Sequence, residues 1–285
     1  MVDISKEIRV MSVMAHQDDF EFTAGGLFAL LKRRYGDRVK IKILATTRGA
    51  SGHHLMTPEE TFATRQQEAI KSASVIGAEY EIMRGLDGHP LVGQVFIDRN
   101  TLGGLWNHIR AFRPDYIFSP PVTNDPLAGI HIDHEQTAHA LRFLAYQLSV
   151  PNAYPTIGRE KSLELVKPLI INVDDPYSAE PGYHACVDIG EVYDKKTEMV
   201  LCHECQIYEW IPYVSGQKEK ETAETYIEAL RKRHEFSNSR HNQPVNSFKE
   251  YFSVTRWGRI ATKRDMDIIF PNAIIDETYL ATLED

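Results

Sequence analysis

Two short runs hold the residue types of metal-assisted hydrolysis. His16, Asp18 and Asp19 stand close together near the start of the 285-residue sequence, and His131, Asp133 and His134 form a similar group far along it. Two imidazoles and a carboxylate that leave one position open are the ligands of a water-activating zinc ion. Water on such an ion has a pKa near ~7. A second carboxylate can take the proton of that water, and a histidine left off the metal can steady a developing oxyanion. The two runs supply all of these parts. Neither contains cysteine, which favours an open catalytic site over a closed structural one. Each run alone has a plainer use, because an aspartate after a strand often only accepts the free N–H groups of a helix start. Their joint occurrence at strand ends is what points to a metal.

The elements that must position these runs can be read from apolar spacing. Ile8 to Met14 is a buried strand that ends at the first run. Thr23 to Arg34 reads as a helix with basic residues in its last turn. Lys40 to Thr46 reads as a strand. Pro58 to Ile76 is a long helix with Thr57 as N-cap and Gly77 as its stop. Glu81 to Met83 and Asp115 to Ser119 are further strands, with a helix from Leu102 to Phe112 between them. A helix from the second run to about Leu148 follows the loop Pro120 to Ile130. Strands alternating with helices predict βαβ units and a mostly parallel sheet. The expected class is α/β, a Rossmann-like three-layer sandwich, in which ligands bind beyond the carboxyl ends of the strands. The second half is less regular. Strands are expected at Pro168 to Val173, His184 to Val187 and near Tyr251 to Val254, and helices at Val192 to Cys205 and Glu219 to Phe236. The whole reads as a single domain over 1–285, with a core at 1–206 and a smaller C-terminal extension at 207–285.

Composition narrows the class. Lys+Arg total 32 against 40 Asp+Glu, a formal net charge of -8, which argues against a nucleic-acid backbone binder. Three cysteines do not make a disulfide scaffold and suit a reducing, cytoplasmic setting. No apolar run approaches the ~18 residues of a membrane span, and no signal peptide is visible at the N-terminus.

The ordered motifs resemble a known family. Ala15-His16-Gln17-Asp18-Asp19 followed by Glu21 is similar to the A-H-P-D-D-x-E signature of the PIG-L/LmbE-like N-deacetylases, and His131-Ile132-Asp133-His134 to their H-x-D-H. The resemblance extends to about Gln206, through Thr47-Arg48-Gly49 with Gly52, Arg65-Gln66-Gln67-Glu68, Leu86-Asp87-Gly88, and Lys196 with His203 and Gln206. It implies a zinc-dependent enzyme that removes acetyl groups from N-acetylglucosamine-type sugars or glycosides, with iron as another divalent candidate. It implies ligation by His16, Asp19 and His134, with Asp18 as general base. His131 would polarise the carbonyl and Asp133 would orient His131. Arg65 and Asp87 match positions that bind sugar hydroxyls, and His203 a position in the active-site wall. It also implies assembly into rings of three or six. The family usually has Pro where this chain has Gln17, which predicts a looser turn or a glutamine that reaches substrate. Two alternatives stay open: an amidohydrolase acting on a non-sugar acyl-amide, and a non-catalytic metal-binding relative.

Other candidates have simpler readings. Cys202-His203-Glu204-Cys205 lacks a partner C-x-x-C and reads as reduced cysteines facing the core. His53 and His54 read as an exposed loop pair. Gly25-Gly26 lacks the spacing of a nucleotide cradle. Tyr208, Trp210 and Tyr213 fit a sugar-stacking wall or a core or subunit contact equally well. The Lys218 to Glu224 run is expected to be a solvated helix face.

Overall fold

The computed structural model describes residues 7–157, 164–174, 182–219 and 221–285. Residues 1–6 of the expected N-terminal segment, and Lys220 of the charged run, lie outside the described residues.

The first five strands are β1 (Ile8–Met14), β2 (Val39–Ala45), β3 (Glu79–Ile82), β4 (Tyr116–Ser119) and β5 (Leu169–Val173). All pair in parallel, in the order β3-β2-β1-β4-β5. Their side chains alternate between two apolar layers, as the period-two geometry of a strand requires. Val10 and Met14 of β1, Tyr116 and Phe118 of β4 and Leu169 and Ile171 of β5 pack on one face. Met11, Val13, Ile117 and Ile170 pack on the other. Strands buried on both faces must be apolar throughout, which is why they read as continuous runs.

Helices cover both faces. Leu27, Phe28 and Leu31 of α2 (Gly25–Tyr35), which follows the short α1 (Asp19–Thr23), fill the first layer. The helix α3 (Pro58–Ser74) starts at a capping box in which Thr57 and Glu60 satisfy each other's backbone N–H groups. Leu105, Trp106 and Ile109 of α4 (Arg99–Phe112) and Leu141 and Leu144 of α5 (Ile132–Leu144) fill the second layer. Burying one such side chain contributes about 1.5–3 kcal/mol, so the two layers dominate stability.

The remainder of the sheet is antiparallel: β6 (Ala185–Asp188), β7 (Lys249–Val254) and β8 (Ala273–Ile275) extend it in the order β5-β7-β6-β8. Strand β7, from beyond Gln206, lies inside the sheet between β5 and β6, so the described residues beyond Gln206 contribute strands to the core sheet. Between them run α6 (Tyr193–Leu201), α7 (Ile211–Val214) and α8 (Ala223–Arg240), and α9 (Lys263–Ile269) and α10 (Glu277–Leu280) close the chain. The helix expected to run from Val192 to Cys205 stops at Leu201, and a π-type turn at Gln206–Trp210 follows.

Strand β7 also explains Gly25-Gly26. The backbone N–H groups of Gly26 and Leu27 donate to Glu250 at 2.9 and 2.8 Å. The positive end of α2 thus binds a carboxylate from its own chain. A methyl group on Gly26 would lie 2.5 Å from Ile189 and 2.9 Å from Glu250, so the close approach requires glycine. Glu250 is in turn held by the buried Lys196, whose Nζ lies 2.6 Å away.

Candidate metal and catalytic site

Strands β1 and β4 are neighbours, with Met11 beside Ile117 and Ser12 beside Phe118. Their carboxyl ends open at the point where the strand order reverses, and the two polar runs converge there. His16 follows β1 directly. The second run returns through the loop after β4, and His131 caps α5 by accepting the backbone N–H of Asp133 on Nδ1 at 3.3 Å. The end of β2 is tied to α5 by the Thr46 and Thr137 hydroxyls, 2.8 Å apart.

The imidazoles converge tightly. His16 Nδ1 lies 3.2 Å from His134 Nε2. The Asp19 carboxylate is 3.6 Å from His16 Nδ1 and 3.3 Å from His134 Nε2. Nitrogen and oxygen donors about 2.0–2.1 Å from a tetrahedral ion stand about 3.3 Å from one another, so this spacing is metal-like. His131 completes a group of three histidines whose donor atoms all lie within 4.8 Å and could hold a metal ion.

Asp133 takes a different place from the one expected of it. Its Oδ2 accepts from His16 Nε2 at 3.2 Å, but lies 4.0 Å from His131 Nδ1. Its Oδ1 accepts the Val95 N–H at 2.6 Å. The geometry therefore gives Asp133 to His16 and not to His131, whose Nδ1 is occupied in capping α5. A carboxylate on Nε2 fixes the imidazole orientation and leaves Nδ1 facing Asp19 and His134.

The electrostatics favour positive charge at this point. Burial opposes a charged His16, yet Asp19 and the Asp133 hydrogen bond overcome it and raise its pKa to about 9. His134 is also raised, against burial, by Asp19. Burial works against ionisation of Asp19 as well, and His134 and His16 still hold it well below the usual carboxylate range. His131 is lowered, first by burial and then by the two neighbouring imidazoles. A field that draws protons onto two half-buried imidazoles also draws a cation, which competes for the same lone pairs.

Asp18, Asp19, His131, His134 and Glu135 open on a cavity of about 290 Å³ that Arg233 of α8 also lines. The four residues expected to touch substrate lie elsewhere. Arg65 is buried, with Nη2 donating to Asp18 Oδ1 at 2.7 Å and Nη1 to the Gly49 carbonyl at 3.0 Å. Gln17 is fully buried and donates to the Arg48 carbonyl at 2.7 Å. It supports the loop from below, where Gly49 has a φ of 55° and a methyl group would meet Gln17 Oε1 at 2.3 Å. Asp87 is exposed, and its two oxygens accept from His89 N at 2.9 Å and Asn100 Nδ2 at 3.2 Å, so it shapes its own turn. His203 is fully buried 3.0 Å from Glu21, which raises its pKa against the effect of burial.

Two participants went unread in the sequence. Val95 locks Asp133 through a backbone N–H, which no side-chain pattern signals. Arg233 comes from the second half, and nothing local distinguishes it from Arg231 and Lys232. The cysteines are free and buried, with Cys205 donating to Glu68 Oε2 at 3.0 Å. His54 stacks on Tyr213 with ring centres 4.0 Å apart, which joins the loop after β2 to α7.

Comparison with known proteins agrees with this architecture. The chain is similar in fold to N,N'-diacetylchitobiose deacetylase from Pyrococcus horikoshii, at 20% identity and a TM-score of 0.61 over 92% of this chain and 86% of that one. It is similar to GalB, the 4-carboxy-2-hydroxymuconate hydratase from Pseudomonas putida KT2440, at 20% identity and a TM-score of 0.60, over 90% and 99%. A teicoplanin deacetylase in its zinc-inhibited form matches at 15% identity and a TM-score of 0.50, over 87% and 99%. No curated protein matches the sequence. The family model described as PIG-L, GlcNAc-PI de-N-acetylase, matches residues 11–145. That span runs from within β1 to the end of α5 and contains both polar runs, so residues 11–145 of this chain match the PIG-L family.

Proposed function

We propose that this protein is a metal-dependent amide hydrolase that releases acetate from an N-acetylated amino sugar or glycoside. The observation that carries the reading is the metal-like spacing of His16 Nδ1, His134 Nε2 and the Asp19 carboxylate, with Asp18 beside them on the same cavity. These donors fit a divalent ion, with zinc as the leading candidate and iron as the second. Such an ion supplies an activated water and polarises the amide carbonyl.

The chain's own residues do the rest. Asp133 orients His16. Arg65 holds Asp18 so that its carboxylate faces the cavity, where Asp18 takes a proton from the attacking water. His131, partly exposed at the rim, steadies the carbonyl oxygen as charge develops there. Water gives its oxygen to the acyl carbon, the C–N bond breaks, and the leaving nitrogen takes up a proton from Asp18 or His131. The products are acetate and a free amine. Free, buried cysteines fit a reducing, cytoplasmic setting. Among the described residues no helix is long and apolar enough to cross a membrane.

A second reading keeps the metal and changes the substrate to a non-sugar acyl-amide. It is favoured by the placement of Arg65 and Asp87, the two residues expected to meet sugar hydroxyls, away from the cavity. Acetate release from N-acetyl sugars, glycosides and N-acetyl amino acids, with and without a chelator, separates the two. Chelator-sensitive release from the sugars supports the first reading, and release from the amino acids alone supports the second. Failure to hydrolyse any amide when loaded with zinc or iron overturns both. The titration should include limiting zinc, since a relative of similar fold is known in a zinc-inhibited form.

A further inference from the structure

The cavity at the metal cluster continues into a second hollow of about 370 Å³, and Phe22, Thr23, Asp174 and Arg233 line both. The other charged side chains along this path almost all have a hydrogen-bond or ion-pair partner. In the second hollow, Lys196 lies 2.6 Å from Glu250, Lys249 Nζ donates to Gln243 Oε1 at 2.6 Å, and Arg240 reaches Asp174 at 3.8 Å. On the metal side, Asp18 is held by Arg65, Asp19 by His16 and His134, Glu135 by His139 at 3.0 Å, and Asp174 also by His241 at 3.0 Å.

Arg233 differs. Among the described residues its guanidinium has no hydrogen bond and no ion pair, and lies 5.4 Å from the centre of the Phe22 ring. The ring restrains the plane of the guanidinium and leaves its N–H groups unspent. A planar fork of donors held at the junction of two hollows matches an oxyanion better than it matches a hydroxyl.

We infer that Arg233 is a specificity residue that binds an anionic group, a carboxylate or a phosphate, on the amine half of the substrate. The inference rests on the proposed amide hydrolysis for which half of the molecule lies there. The small acyl group meets the metal cluster, and the larger half extends past Arg233 into the second hollow. The carboxylates along the path each already hold a hydrogen bond or ion pair from another side chain, and none of them is paired with Arg233.

The test measures binding by calorimetry in an Asp18→Asn background, where turnover is suppressed. The probes are N-acetylglucosamine, N-acetylglucosamine 6-phosphate and N-acetylmuramic acid, which share the amide and differ in charge. At least one of the two anionic compounds should bind about tenfold or more tighter than the neutral sugar. Arg233→Gln should bring that ratio close to one, Arg233→Lys should retain part of it, and Arg231→Gln, on the same helix but paired with Glu228, should leave it unchanged. The tighter anion identifies phosphate or carboxylate as the source. Equal affinity for all three compounds, no detectable binding of either anion, or a ratio untouched by Arg233→Gln would each overturn the inference. Acetate release by the unsubstituted protein is read separately. Its absence would defeat the hydrolase reading while leaving the binding ratio to judge Arg233.

Discussion

Asp18 and Arg65 are joined by a 2.7 Å ion pair beside the histidine cluster, with the arginine almost wholly buried and the carboxylate reaching the cavity. The second arm of Arg65 binds the Gly49 carbonyl. The guanidinium therefore ties the loop after β2 to a carboxylate that lines the cavity. Lysine cannot make both bonds from one ammonium position. Arg65→Lys is expected to lower kcat about tenfold or more with little change in KM, as a positioning residue should. Steady-state acetate release checks this. A raised KM at unchanged kcat would return Arg65 to direct substrate binding.

Asp18 itself separates metal binding from proton transfer. It is not among the groups at metal-like spacing, so Asp18→Asn should keep the metal content of the unsubstituted protein. Loss of a general base typically costs about 10²–10⁴ in rate. Metal analysis and acetate release on the same sample are the measurement, and hydrolysis at the unsubstituted rate would remove Asp18 from its role.

Much of this site was legible because its parts lie at the ends of predictable elements. Ile8–Met14 is a strand with the bounds its apolar run predicts, and Thr57, Pro58 and Glu60 announce the start of α3 through local hydrogen bonding. Both polar runs fall beyond strands that neighbour each other because parallel crossovers leave few alternatives. What sequence could not give is long-range. β7 opens with two buried polar residues, Lys249, which donates to Gln243, and Glu250, which makes sense only against Lys196 and the start of α2. Asp133 is close to His131 in sequence, yet the turn of α5 aims its carboxylate at His16. Gln17 looks available from its position in the first run, but the Gly49 loop folds over it.

The ligand set can be divided by substitution. On the proposed reading His16, His134 and Asp19 hold the ion, with Asp133 behind His16. Asp133→Asn should weaken metal binding about 10–100-fold, the usual effect of losing a carboxylate that orients a ligating histidine. His134→Ala should abolish stoichiometric binding, and His131→Ala should retain it while lowering turnover. Competition with a chromophoric chelator measures all three. If His131→Ala lost metal as completely as His134→Ala, the ion would belong to the three histidines.

Stability should depend on pH through a site remote from the chemistry. Asp265 in α9 accepts from Arg259 through both oxygens, at 2.6 and 2.7 Å, and from the Tyr116 hydroxyl at 2.9 Å. Burial opposes its ionisation, but these hydrogen bonds and that of the Thr262 N–H hold its pKa below the ordinary 3.8. A folded-state pKa below the unfolded one means that the carboxylate stabilises the fold fully above the unfolded value. That contribution is lost as pH falls through the folded value. Asp265→Asn should therefore cost about 2 kcal/mol at neutral pH, in line with charged hydrogen bonds of this kind. The gap between variant and unsubstituted protein should close as the pH drops below 3.8. Urea unfolding midpoints followed from neutral to acid pH provide the check, and a gap of constant size would show that packing, not the charge on Asp265, holds α9 to β4.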